Sequence, residues 1–212
     1  PRTYGHVKGC DNLEKICTVA KELGIKYLTV YAFSTENWKR SREEVDGLMK
    51  LFRNYMKKCI KISRDNKMRV RVIGDPRAFD QDLQDRIREL EEYSSQFDEL
   101  HFQIALNYGS RDEITRAVRH MAEDVKKGTL SPEDITEDTI SGYLDTRGLP
   151  DPDLLIRTSG EERLSNFLMW QLAYTEFYFT DVAWPDFDKA EFVKAIEKYN
   201  KRDRRYGGVK ED

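Results

Sequence analysis

The sequence predicts an α/β protein with a mainly parallel central sheet flanked by helices. Along the 212 residues, segments with apolar side chains at helical spacing alternate with short runs of β-branched and aromatic residues. Hydrophobic residues make up 39% of the chain, which is enough to build a core. We find no internal repeat, low-complexity tract or linker in the sequence, so we expect a single domain.

Local signals define the elements in chain order. The first helix is predicted to end at Gly24, and the apolar run at 26–33 predicts a strand buried on both faces. A capping box at Ser41 and Glu44 begins a long helix with an apolar stripe over residues 45–60. The remaining expected elements are strands at 68–75, 101–109, 153–158 and 177–184, and helices around 83–90, 114–125, 131–132 and 188–199.

Polar segments follow three of the predicted strands. These are STENWKR at 34–40, NYGSR at 107–111 and RTSGEER at 157–163. The first lacks the glycine, proline and aspartate of a plain turn, and its side chains are costly to bury unless they bind something. In parallel sheets, ligands bind beyond the carboxyl ends of the strands, so we expect the three segments to form one site.

Arginines and hydroxyl groups dominate the third segment. The guanidinium groups of Arg157 and Arg163 match phosphate oxygens bidentately, and Arg2, His6 and Arg40 could extend the site to two phosphate groups. For any single arginine, a surface ion pair is the simpler interpretation, and a lone histidine is more often structural. Because several cations lie near the ends of separate strands, anion binding is favoured.

Two further features have two interpretations each. Glu176, within an aromatic run, is either an exposed strand residue or a carboxylate ligand for Mg²⁺ beside phosphates. The apolar stripe at 45–60 is ordinarily core, but it begins beside the predicted phosphate site and could wall a hydrophobic tunnel.

Composition excludes some classes of function. Charged residues make up 35% of the chain, but the signs are mixed and the net charge is −3, which argues against nucleic-acid binding. The sequence has no apolar run of membrane-spanning length and no signal-peptide pattern, which predicts a soluble protein. Cys10, Cys17 and Cys59 lack C-x-x-C spacing, so we expect reduced thiols in a cytoplasmic protein without a zinc site.

Four segments carry a specific resemblance. YAFSTENWKR, NYGSRDEI, the long segment at 148–187 and the terminal RRYGG resemble the cis-prenyltransferases, especially the bacterial undecaprenyl diphosphate synthases. The resemblance implies condensation of isopentenyl diphosphate onto an allylic primer such as farnesyl diphosphate, with Mg²⁺ assisting loss of the allylic diphosphate. The expected product is a long-chain polyprenyl diphosphate such as undecaprenyl diphosphate, a cell wall lipid carrier. A lipid product also implies transient peripheral contact with the membrane for its release.

The resemblance also implies residue roles. Asn37 would lie near the reacting carbons and handle the proton, and Glu176 would be the second metal carboxylate. The implied substrate-binding residues are Arg2, His6, Ser34, Thr35, Glu36, Trp38, Arg40, Arg157, Arg163, Leu164, Ser165 and Arg205.

One part of the family pattern is not in the sequence. The family's first strand and its Asp-Gly-Asn loop, which carries the main Mg²⁺ ligand, should precede Pro1. We therefore expect residues 1–212 to be a single catalytic domain that lacks this N-terminal segment. Two alternatives remain: a non-catalytic subunit of a heteromeric prenyltransferase, and a generic phosphate-binding α/β domain. The preserved NWKR and RTSGE motifs argue against the first, and the lack of a glycine-rich nucleotide loop argues against nucleotide binding by the second.

An aromatic segment predicts a homodimer. Trp170, Tyr174, Phe177, Tyr178, Phe179 and Trp184 lie within fifteen residues. Strand alternation would point about half of them outward, where a twofold partner would cover them. By resemblance, Arg205 in the terminal RRYGG motif should reach the neighbouring subunit's site.

Overall fold

The computed structural model describes residues 2–201, and it describes the side chains of residue 5 and of residues 7–201. The side chains of Arg2 and His6, and all of Arg205, lie outside the described residues. Six α-helices occur in the described chain: α1 Arg2–Glu22, α2 Arg42–Asn66, α3 Gln81–Ser94, α4 Ser110–Lys127, α5 Glu137–Tyr143 and α6 Lys189–Asn200. Five strands occur there: β1 Tyr27–Ser34, β2 Met68–Ile73, β3 Leu100–Tyr108, β4 Leu154–Arg157 and β5 Glu176–Phe179.

The predicted start and stop signals are confirmed. The turn after α1 contains Gly24 at a φ of 74°, in the left-handed region that glycine adopts without cost. The Ser41 side chain accepts a hydrogen bond from the Glu44 amide at 3.3 Å and caps α2. Gly128 ends α4, also with positive φ.

Every strand pairing among the described residues is parallel, as predicted. The strands form two sheets, one in the order β1-β3-β2 and one made of β4 and β5. Strand β3 is the centre of the larger sheet and is buried along nearly its whole length. Helices α1, α2 and α3 pack against this sheet, and their apolar stripes form the main core.

Two strand predictions are wrong in detail. Strand β1 is not buried on both faces: among the described residues it is an edge of its sheet, Tyr27 is 43% exposed, and only Phe33 is fully buried. The strand predicted at 177–184 ends at Phe179. Its last part turns into a 3₁₀ helix at Trp184–Asp186, where Pro185 cannot donate to a strand ladder.

The predicted outward-facing aromatic patch is also wrong in extent. Of the six aromatic side chains between 170 and 184, only Tyr174 is exposed, at 74%. Tyr178 is buried, and the Trp184 Nε1–H donates to the Gly9 carbonyl in α1 at 3.0 Å. Within residues 2–201, no helix has the length and apolar composition needed to cross a membrane.

Candidate active site

The segments after β1, β3 and β4 meet, as the sequence predicts. We call residues 34–40, 107–111 and 157–168 together the site rim. Asn166 donates from Nδ2 to Glu36 Oε1 at 2.9 Å, and its carbonyl accepts from the Ser110 amide at 2.8 Å. The Tyr31 hydroxyl, from β1, donates to the Tyr108 carbonyl at 2.9 Å. Hydrogen bonds therefore join all three segments beyond the carboxyl ends of their strands.

Local contacts position Asn37 and Trp38. Residues Thr35–Lys39 form a 3₁₀ turn, in which Asn37 Oδ1 accepts a hydrogen bond from the Ser34 amide at 3.0 Å. The Trp38 Nε1–H donates to Asn107 Oδ1 at 2.7 Å, and its ring stacks edge-on against Phe33. Both side chains are thereby oriented by neighbours on the site rim.

Thr35 and Glu36 lie against the turn at Gly109. A Cβ at Gly109 would lie 2.6 Å from Thr35 Oγ1 and 2.7 Å from Asn166 Nδ2, so only glycine fits there. Burial by itself would raise the pKa of Glu36, but hydrogen bonds, led by that from Asn166, outweigh it and lower this pKa. Glu36 is therefore an ionised acceptor for Asn166 at neutral pH.

The predicted cations differ in their environments. Arg157 is half-buried at the carboxyl end of β4, and no ion pair to another described side chain is found for it. Arg163 is 61% exposed and pairs with Glu161, and Arg40 pairs with Glu44 at 2.7 Å. Arg40 and Arg163 thus form surface ion pairs in the structure, whereas Arg157 lies at the strand end.

The loop that carries Arg163 continues through Leu164 and Ser165. Leu164 packs against the small apolar cluster that contains Tyr108 and Phe167. Ser165 is exposed, and its carbonyl accepts from the Tyr31 hydroxyl at 3.4 Å. Burial, together with the charge of Glu36, raises the pKa of Tyr31 to about 12, so this hydroxyl remains a donor at neutral pH.

Backbone strain is concentrated at the site rim. Six non-glycine residues in the described chain have positive φ, and five of them belong to the rim. Left-handed backbone is unfavourable for side chains with a Cβ and persists where surrounding contacts impose it, often at functional sites. The five are Asn107, Ser159, Ser165, Asn166 and Leu168.

A cleft of about 810 Å³ lies between the two sheets. It is lined by consecutive residues of β1 (27–32) and of β4 (154–157), together with Arg163, Leu164 and apolar residues of α1, α2 and α6. Successive residues of a strand point to opposite faces, so a lining of consecutive residues means that the cleft meets both strands at their edges. Of the stripe at 45–60, Leu48 and Phe52 line the cleft, while Met56 belongs to the core.

Glu176 does not lie beside Arg157 within one chain. It begins β5 and pairs in register with Leu154, whereas Arg157 pairs with Phe179. The three intervening steps place Glu176 about 10 Å along the strand from the level of Arg157. No group of three histidine, cysteine, aspartate or glutamate side chains that could hold a metal occurs in the described part of the chain. Mg²⁺ is usually held by one or two carboxylates together with substrate phosphates, and Glu176 would supply one of these carboxylates.

Sequence reasoning missed Asn107 and Asn166 as site residues. Asn107 accepts from Trp38 and donates from Nδ2 to the Asp75 carbonyl at 2.8 Å, so it joins two loops. Asn107 begins the NYGSR segment, and Asn166 lies in the long segment at 148–187. Asparagine tolerates left-handed backbone, and that property was the available signal.

The buried carboxylate of Glu113 accepts hydrogen bonds from a rim residue and from the loop before β4. Glu113 in α4 is 1% exposed and accepts from the Tyr108 hydroxyl at 2.5 Å and from the Asp145 amide at 2.8 Å. Burial raises the pKa of Glu113, although these donors oppose the rise. Arg116 holds Asp145 with two hydrogen bonds, at 2.9 and 2.7 Å. This network ties α4 to the loop before β4.

Known proteins with similar sequences are prenyltransferases. The Prenyltransf family model, whose description names undecaprenyl diphosphate synthase, matches residues 1–207. An isoprenyl transferase of Geobacillus kaustophilus is 52% identical over 209 residues, which cover 99% of this chain and 81% of that protein. An isoprenyl transferase of Fusobacterium nucleatum is also 52% identical, over 99% of this chain and 88% of that protein.

Solved structures agree with the sequence relatives. Lavandulyl diphosphate synthase from Lavandula x intermedia, in complex with dimethylallyl diphosphate, superposes with a TM-score of 0.94 at 39% identity, covering 98% of this chain and 89% of that one. A probable undecaprenyl diphosphate synthase from Campylobacter jejuni superposes with a TM-score of 0.83 at 33% identity, covering 95% and 92%. The fold, the motifs and these relatives agree, and the chain belongs to the cis-prenyltransferase family of isoprenyl transferases.

Proposed function

We propose that this isoprenyl transferase condenses isopentenyl diphosphate onto farnesyl diphosphate and repeats the step to make a long-chain product, undecaprenyl diphosphate. In each step the allylic carbon–oxygen bond breaks, and the diphosphate keeps the electron pair. The isopentenyl double bond supplies the pair for the new carbon–carbon bond. Loss of a proton from the adjacent carbon then forms the new double bond.

The observation that carries this proposal is the convergence of Asn37 and Arg157 on one hydrogen-bonded rim beside an apolar cleft. An arginine at a strand end suits a diphosphate group, and an apolar wall suits a prenyl chain. We assign Arg157, Arg163 and Ser165 to the isopentenyl diphosphate. Ser34, Trp38 and Arg40 are assigned to the allylic substrate, and Asn37 to proton transfer.

The test is incubation of the full-length protein with farnesyl diphosphate, radiolabelled isopentenyl diphosphate and Mg²⁺, followed by chromatography of the chain lengths. Label in a long cis-prenyl product supports the proposal, and a short product would change the assigned chain length. Label that appears only after addition of a second prenyltransferase subunit would instead support the non-catalytic alternative. The preserved rim motifs do not favour that alternative.

We also propose that the strand and Asp-Gly-Asn loop implied by the family lie between β1 and β4. Both strands border the cleft with their edges, and a parallel strand inserted there would join the two sheets into one. Such a strand would also narrow the cleft toward the tunnel expected for a prenyl chain. Comparing the unfolding free energy of the chain with and without that segment tests this arrangement.

Mg²⁺ dependence remains a proposal, with Glu176 as one carboxylate and the Asp-Gly-Asn aspartate as another. When bound, the ion would neutralise the departing diphosphate. Glu176→Gln should then raise the Mg²⁺ concentration needed for half-maximal activity, because it keeps the size of the side chain but removes its charge. An unchanged Mg²⁺ requirement would make Glu176 a strand residue only.

Finally, we propose a homodimer with transient membrane contact, in which Arg205 completes the neighbouring site. Exposed Tyr174 (74%) and Met169 (43%) support an apolar contact surface, although a smaller one than the sequence suggests. Mixing an Asn37→Ala chain with a chain that lacks residues 203–212 should restore part of the activity. A monomer by light scattering, or no restoration despite subunit exchange, contradicts this arrangement.

A further inference from the structure

Asn166 forms hydrogen bonds to two other segments of the site rim. Its carbonyl accepts from the Ser110 amide at 2.8 Å, its Oδ1 accepts from the Arg111 amide at 2.9 Å, and its Nδ2 donates to Glu36 Oε1 at 2.9 Å. The backbone of Asn166 is left-handed, at a φ of 63°, which asparagine tolerates better than most residues. The carbonyl, Oδ1 and Nδ2 of Asn166 therefore each bond to a different residue.

Two of these bonds cap helix α4 from outside its own chain segment. Ser110 and Arg111 are the first residues of α4, where backbone amides lack helical partners. The N-cap residue of α4 is Gly109, which has no side chain to accept from them. A Cβ at Gly109 would lie 2.7 Å from Asn166 Nδ2, so the glycine leaves room for the external cap.

The third bond reaches the segment that carries Asn37. Glu36 precedes Asn37 in the 3₁₀ turn, and Asn166 lies beside Ser165 in the loop assigned to the isopentenyl diphosphate. Phe167 adds a second attachment, because its ring stacks on Tyr31 of β1 at 4.5 Å between centroids. The Asn166–Glu36 hydrogen bond and the Phe167–Tyr31 stack thus both link the two substrate segments.

We propose that Asn166 is a positioning residue, which uses the α4 N-terminus as a fixed support and its bond to Glu36 to set the spacing of the two substrate segments. The proposal rests on the function proposed above. A shift of about 1 Å between reacting groups can lower the rate about 100-fold, so this spacing matters for chemistry as well as for binding.

The donor and acceptor roles in the Asn166–Glu36 hydrogen bond can be exchanged by mutation, and this exchange provides the test. Asn166→Asp keeps an acceptor for the Arg111 amide but places a carboxylate against Glu36. Glu36→Gln keeps an acceptor for Asn166. In the double variant, the new glutamine amide can donate to the new aspartate, so the hydrogen bond is restored with its polarity reversed.

The experiment is a double-mutant cycle in the full-length protein, measured as kcat/KM for isopentenyl diphosphate together with thermal unfolding. We expect Asn166→Asp to lower kcat/KM by about 10- to 100-fold in the natural background. When Glu36→Gln is already present, Asn166→Asp should lower kcat/KM by less than about 3-fold, because the hydrogen bond is then restored. Asn54→Asp, on the exposed face of α2, adds the same charge as a control and should leave kcat/KM unchanged.

If Asn166→Asp lowers kcat/KM by the same factor in both backgrounds, the positioning role is overturned. A loss of activity that only parallels a lower melting temperature, without rescue in the double variant, would overturn it as well. If the natural protein itself incorporates no isopentenyl diphosphate, the proposed function fails, and that outcome is distinct from an active enzyme with an additive cycle.

Discussion

The two edge strands of the three-stranded sheet, β1 and β2, have different neighbours. At the β2 edge, α3 side chains accept from strand amides: Glu91 Oε1 from Val72 N at 2.7 Å, and Ser94 Oγ from Val70 N at 3.0 Å. At the β1 edge, the backbone borders the cleft, and the site rim begins where the strand ends. The helix layer closes the β2 edge, whereas the β1 edge borders the candidate active site, where the family's strand is proposed to pair.

The difference separates stability from function within a single sheet. Unpaired strand edges invite association with other chains, so proteins usually cover them. At β2 the cover is built from buried and half-buried side chains of the same core. At β1 the edge borders the cleft, and the strand leads to the residues assigned to substrate. Substitutions beside the cleft should therefore change kinetics, and those at the closed edge should change stability.

The largest expected effect is at the end of β1. Asn37→Ala should lower kcat by about 10²- to 10⁴-fold, the range for loss of a general acid–base group, with little change in either KM. Steady-state kinetics with both substrates measure this. Asn54→Ala, an exposed amide on α2, is the matched control. Near-normal turnover of Asn37→Ala would remove this residue from the chemical step.

At the end of β4, Arg157→Ala should raise the KM for isopentenyl diphosphate by about 10- to 100-fold, because a charge-assisted hydrogen bond is worth about 1.5–3 kcal/mol. Arg157→Lys should rescue only partly, since the guanidinium fork is lost. Arg69 on β2, whose guanidinium donates to the Ser95 carbonyl, is the control at the closed edge. Arg69→Ala should leave the KM unchanged. Equal KM values for the natural protein, Arg157→Ala and Arg69→Ala would contradict the comparison.

At the closed edge, Glu91→Ala should lower the free energy of unfolding by about 1–3 kcal/mol, because the Val72 amide loses its acceptor. Urea unfolding of the full-length protein measures this change. Kinetic constants of the folded variant should match those of the natural protein. Lost activity at unchanged stability would show that the closed edge also serves the site.

The smallest expected effect is a change in pH dependence. Burial raises the pKa of Glu91 in the folded protein, although the Val72 amide and Arg71 oppose the rise. The protonated form is thus favoured in the folded state, and stability should fall as the pH rises from the unfolded-state pKa through the raised folded-state pKa. Glu91→Gln keeps an acceptor for Val72 and should remove this slope. Parallel stability profiles of the two proteins across that pH window would contradict the assignment.

Sequence patterns predicted much of the fold and part of the site. The sequence predicted the cap at Ser41, the helix stop at Gly24 and the position of the rim after three strands. These features depend on neighbours within a few residues. The aromatic segment near 177–184 was misjudged, since its early strand end depends on packing against α1. The position of Glu176 away from Arg157 was equally unreadable, because it follows from the register of β4 with β5.

By itself, the sequence determined the alternation of helices and strands, the family, and the residue types available at each strand end. Hydrophobic periodicity and turn chemistry are local properties, so they can be read without knowing partners. Only the tertiary structure decided that β1 borders the cleft, that α3 closes the opposite edge, and that Asn166 bonds to Glu36, which lies 130 residues away. These contacts join distant segments, and their geometry is set by how whole elements pack rather than by any local preference.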